Sequence, residues 1–116
     1  MSDDFVVDIY KVTKHLPREE LFGLTSQLRR ASVSIPANIV EGSGREGLKD
    51  YVHFLQIALA SLKEAGYLLS LSKKFNYIVA KDFEALNGQY ENLAKALNGL
   101  ILSLKKVSRE SSGHIK

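Results

Sequence analysis

The chain has 116 residues, 45% of them hydrophobic and 25% charged, with a formal net charge of +3. This is ordinary globular composition for one domain, enough for a core though small enough to gain from oligomerising. The absence of cysteine excludes a disulfide framework, a thiolate nucleophile and a cysteine-ligated zinc site, and the mild positive charge permits an anionic partner without requiring one.

No apolar run approaches the length of a membrane span, and the acidic opening Met1-Ser2-Asp3-Asp4 is unlike a signal peptide. The expected location is cytoplasmic, with no membrane partner. A first helix is expected near 3–14. Ser2 or Asp3 can cap it, and Phe5, Val6, Ile9 and Val12 form its apolar stripe. Pro17 suits a first helical position and opens a second helix near 18–42. Gly23 weakens that helix, so either a break with Thr25 as a fresh cap or a bent continuous helix is expected.

The stretch Gln27–Arg45, QLRRASVSIPANIVEGSGR, organises the rest. Leu21, Leu24, Leu28, Ala31, Ile35, Asn38 and Gly42 alternate at spacings of three and four, which is a bundle seam. Pro36 removes a hydrogen bond to the Ser32 carbonyl, so a kink there is expected. Gly42 and Gly44 end the helix. Two caps compete for the next start, Ser43 with Glu46 and Gly47 with Asp50.

A third helix near 46–75 shows two apolar stripes. One is Leu48, Tyr51, Leu55, Ala58, Leu62, Ala65, Leu69; the other includes Phe54, Ile57, Leu68 and Leu71. Two stripes exceed what one bundle needs, so Phe54, Ile57, Leu68 and Leu71 are candidates for a contact with a second copy. Small residues such as Ala60 and Gly66 allow close helix approach. Asn76 suits a left-handed cap position. The last helix is expected near 80–107, with Phe83, Leu86, Tyr90, Leu93, Leu97, Leu100, Leu104 and Val107 on its seam and a frayed tail over 109–116. No strand-like alternation interrupts this pattern. The fold class is therefore all-α, an antiparallel up-and-down four-helix bundle over 1–116 with its second helix kinked at Pro36.

No catalytic constellation emerges. His15, His53 and His114 lie in three different segments without ligand-spaced partners, and no cofactor or metal is implied. The glycines at 42, 44 and 47 lack the strand and the lysine of a phosphate loop. Asn38 sits on the apolar seam, with Glu41 one turn on and Arg45 four residues further. These three suit a polar clasp that fixes register, or else a small polar site. Arg29 and Arg30 flank seam residues and are expected to point outward. They serve either surface pairing or phosphate contact, with Arg45, Lys49, Lys105, Lys106 and Arg109 as companions.

The runs LFGLTSQLRRASVSIPANIVEGSGR, FLQIALASLKE and LNGLILSL resemble the small bundle proteins encoded in intervening sequences of bacterial 23S ribosomal RNA genes. The likeness spans roughly Tyr10 to Lys105. It includes Gln27, Arg29, Arg30, Pro36, Asn38, Glu41, Gly42, Arg45, Phe54, Ser61 and Glu64. The first helix is shorter than in relatives and lacks their tryptophan-containing opening. Gly47 and Val79 stand where Ser or Thr caps are usual. The resemblance implies a four-helix bundle that assembles as a ring, commonly a homopentamer, with no established enzymatic activity. A similar fold occurs in the accessory protein of diversity-generating retroelements, which binds nucleic acid and a reverse transcriptase; this is analogy of fold. The expected function is non-enzymatic binding of RNA or DNA by a ring of bundles through basic residues. The alternative is a scaffold for a partner protein.

Overall fold

The computed structural model describes the backbone of residues 1–115 and the side chains of residues 1–110. The His114 side chain and Lys116 therefore lie outside the described residues, as does that part of the expected tail. Four α-helices make up the fold: α1 (Ser2–Thr13), α2 (Leu24–Ser43), α3 (Leu48–Lys74) and α4 (Ala80–Ile115). A short 3-10 turn, Arg18–Glu20, joins α1 to α2. No strand occurs among the described residues. Nor is any helix among them long and apolar enough to cross a membrane.

The helices pack in a cycle, α1 on α2, α2 on α3, α3 on α4 and α4 on α1. Neighbours are antiparallel. Ser34 meets Ser61 and Gly42 meets Phe54 across α2 and α3; Gly66 meets Tyr90 across α3 and α4. Short connections dictate this topology. The result is a rod measuring 58 × 23 × 19 Å.

Local chemistry explains the element ends. The chain breaks at Gly23, and α2 starts at Leu24 without Thr25 as its cap. The Glu20 carboxylate reaches across the break and accepts a hydrogen bond from the Leu24 N–H at 3.3 Å. It satisfies one of the donors that a helix start leaves free. Ser2 and Asp3 do not cap α1 either: Met1 occupies that position with no side-chain bond, and Ser2 is already helical. Gly47 wins the competition to open α3, since Ser43 turns its hydroxyl back onto the Val40 carbonyl at 2.8 Å. Asn76 adopts φ of 63° just after α3, the left-handed conformation that asparagine tolerates. The last helix does not stop near 107; its backbone continues to Ile115.

The core runs along the seam. Leu28, Ile35, Leu55, Leu62, Leu69 and Leu86 are almost fully buried, with Leu93 and Leu97 close behind. Phe5 and Ile9 seal the α1 side. Two glycines set helix separation: a β-carbon on Gly66 would lie 2.5 Å from the Tyr90 ring, and one on Gly42 would lie 2.8 Å from Phe54 Cβ. Ala60, expected at a close approach, is exposed instead. Toward the end of α4 the expected seam drifts. Ile101 is buried, Leu104 only partly so, and Leu100 and Val107 are exposed. The reason is α1's length. Twelve residues span about 18 Å and thirty-six about 54 Å. The antiparallel α1 begins beside Asn92, so the later turns of α4 lack that neighbour.

α2 passes through Pro36 as one unbroken helix. Asn38, two residues on, donates to the Ser34 carbonyl at 2.7 Å and to the Ser34 hydroxyl at 2.9 Å. Ser34 in turn meets the Ser61 hydroxyl at 2.9 Å, so a chain of polar contacts joins α2 to α3 beside the apolar seam.

Candidate nucleic-acid interface

Lys49 stands in the first turn of α3, and His53 and Gln56 follow at four and seven residues, on the same outward side. Lys105, Ser108 and Arg109 form one face of a late turn of α4 by the same spacing. Antiparallel packing sets the start of α3 beside these late turns. The six side chains and Val52 line a single cleft of about 410 Å³. Val52 is buried and forms an apolar wall, while Lys49, His53, Lys105 and Arg109 are exposed. No carboxylate lines the cleft, so three permanent cations face it uncompensated. Gln56 and Ser108 are not distinguished by residue type. Their helical spacing from Lys49 and Lys105 is the signal that reveals them.

The other cations are placed elsewhere. Arg29 does not point away from the bundle. It is half-buried, its Nε donates to Thr13 Oγ1 at 2.9 Å, and its guanidinium lies 4.6 Å from the centre of the Tyr10 ring. A second nitrogen reaches the Tyr10 carbonyl at 3.4 Å. Arg29 thus clamps α1 onto α2, and its fork is occupied. The sequence pattern missed this because it shows the seam but not which helix covers the flank. Arg30 is exposed and borders a small polar groove of about 220 Å³ with Gln27, Ser34, Ser61 and Glu64, on the α2–α3 side. Lys106 is exposed but does not line the cleft.

The expected clasp of Asn38, Glu41 and Arg45 divides in two. Asn38 belongs to the Ser34–Ser61 chain. Arg45 forms an ion pair with Glu41 at 2.6 Å and covers the Phe54 ring at 4.8 Å. The pair is solvent-exposed, and such pairs contribute little stability, typically about 0–1 kcal/mol. Its main effect is to hold the α2–α3 connection over Phe54.

The four apolar residues proposed for a contact between copies are not equally available. Leu68 is buried within its own bundle; Phe54, Ile57 and Leu71 are half-buried. More exposed apolar side chains occur elsewhere, at Phe22, Val40, Tyr67, Phe75, Val79 and Leu102. Among the described residues no cluster of three His, Asp or Glu could hold a metal.

Comparison with known proteins fits this architecture. The model of the 23S rRNA-intervening sequence protein family matches residues 1–99. The chain belongs to that family. A crystal structure of a Bacteroides thetaiotaomicron protein of unknown function, from the S23 ribosomal protein family, is similar at 32% sequence identity with a TM-score of 0.80. The likeness covers 86% of this chain and 94% of that chain. No curated protein matches it. The matched family segment contains α1, α2, α3 and most of the seam of α4, but ends at Gly99. Lys105 and Arg109, on the α4 side of the cleft, lie beyond it.

Proposed function

We propose that this intervening-sequence family member is a non-enzymatic, cytoplasmic, ring-forming bundle that binds RNA or DNA through the cleft between α3 and α4. The observation that carries the reading is convergence. Lys49 is far in sequence from Lys105 and Arg109, yet the three line one cleft free of carboxylates. A guanidinium and two ammonium groups on rigid helices suit phosphate oxygens, the guanidinium through paired N–H donors. Ring formation strengthens the field: a homopentamer would multiply the formal +3 to about +15 and steer a polyanion. Exposed apolar surface on Val40, Leu102 and Val107 gives the ring contacts to close with.

The test is binding of a labelled oligonucleotide across a salt series, by wild type and by a Lys49→Ala/Lys105→Ala/Arg109→Ala variant. Each lost phosphate contact lowers the slope of log affinity against log salt by about 0.7–0.9. A reduction of about 2–3 is expected per subunit engaged, with the helical fold intact. No wild-type binding at low salt would favour the second reading, a scaffold for a partner protein. The same exposed apolar residues support that alternative.

A further inference from the structure

The outer face of α3 carries a feature that the cleft does not exhaust. Positions 49, 53, 56, 60, 63, 67, 70 and 74 recur at alternating spacings of four and three, so they form one stripe along the helix. All eight are exposed and none is acidic. The stripe starts at Lys49 and His53 in the cleft. It continues through Lys63 and Tyr67 to Lys74, next to the cap residue Phe75. At 1.5 Å per residue it is about 38 Å long.

Its far half carries the exposed ring of Tyr67, at 64%, and ends beside the cap residue Phe75, 57% exposed on the flank of the stripe. Phe75 lies 5.4 Å from Tyr77, ring over ring at 25°. The Tyr77 hydroxyl donates to Glu20 at 3.2 Å, which ties this end to the α1–α2 connection, where Phe22 is 93% exposed. The core uses none of these exposed faces.

We propose that the outer face of α3 is a track for single-stranded nucleic acid, with Lys63 and Lys74 on phosphates and Tyr67 and Phe75 as stacking platforms for bases. Charged grooves interleaved with exposed aromatic rings bind unpaired strands, because lysines follow the backbone while every base offers a face to stack. A duplex keeps those faces inside its own stack. Charge selects this occupant over others. An apolar protein surface would bury Lys63 and Lys74 without a counter-charge on the stripe, and burying an unpaired charge is costly. The track rests on the nucleic-acid reading above and adds strandedness to it.

The experiment compares a labelled single strand of about twenty nucleotides with its duplex, by fluorescence anisotropy over a salt series. Wild type is expected to prefer the single strand. Tyr67→Ala/Phe75→Ala should weaken the single strand about tenfold or more while leaving duplex affinity and both salt slopes unchanged. Tyr67 is on an exposed helical face, so Tyr67→Phe should fold normally and keep wild-type affinity. Equal binding of both forms, unaffected by the aromatic variants, would overturn the track but leave the cleft reading standing. Failure of wild type to bind either form would remove both. A change in assembly mass in place of single-strand affinity would assign the aromatic face to a contact between copies and overturn the track.

Discussion

The two halves of the rod follow the same helical rhythm with different outcomes. Where α1 lies alongside, Leu86 of α4 is 1% exposed, facing a bundle closed by Phe5 and Ile9, with Phe83 and Tyr90 half-buried against it. Past Asn92 α1 has ended: Leu93, Leu97 and Ile101 stay buried in the remaining seam, but the flanking and later apolar positions lose their cover. Val107 is 49% exposed, and Val40 of α2 is 70% exposed. An apolar periodicity therefore records a capacity to pack; the length of the neighbouring helix decides whether it is used. The uncovered half also holds Lys105 and Arg109. Exposed apolar side chains and uncompensated cations thus occur together at this end.

The sharpest test of this contrast is a pair of truncations. Leu86→Ala should cost about 2–5 kcal/mol of folding stability, by chemical denaturation, because it empties a filled core site. Val107→Ala should cost well under 1 kcal/mol in the isolated chain and should instead lower the assembly mass in sedimentation. A core-sized loss at Val107 would mean that the two halves are packed alike.

A smaller effect separates structural from binding arginines. Arg29→Ala removes a charged hydrogen bond and a ring contact between α1 and α2, so a loss of about 1.5–3 kcal/mol is expected. Oligonucleotide affinity at temperatures where the variant is folded should not change. Arg109→Ala should do the reverse. If Arg29→Ala shallowed the salt slope without loss of stability, the α1 clamp would be the wrong account of that residue.

The smallest effect is a titration at the opposite end. Desolvation, then the hydrogen bond to Glu20 and the charges of Glu20 and Glu19, hold the Tyr77 phenol above its ordinary pKa of 10.0. The folded state holds this proton more tightly than the unfolded chain. The contribution is therefore fully present below pH 10 and fades as pH rises through the folded value. Ultraviolet difference titration should show Tyr77 ionising late. Glu20→Gln should return it part of the way, since desolvation remains. An unchanged titration in that variant would deny the bridge between the two loops.

The seam residues Leu28, Ile35, Leu55, Leu62 and Leu69 were legible as core because burial along a helix repeats with its turn, a property of local sequence. Helix number and order and the left-handed Asn76 were legible for the same local reason; Gly23 left a break and a bent continuous helix both open. The candidate site was readable only as a scatter of cations. Arg29 and Lys105 look alike in the chain, yet one is locked against Tyr10 and Thr13 while the other faces an open cleft. Local pattern in the chain marks which side chains want to be buried and how many helices form, while several helix ends, at Ser2, Leu24 and Ile115, fell away from the expected positions. Tertiary structure alone decided which helix covers which flank, how far α1 reaches along α4, and that Lys49 meets Lys105 and Arg109. Those outcomes depend on the relative lengths and register of packed helices, and no local pattern encodes the distance between residues on different elements.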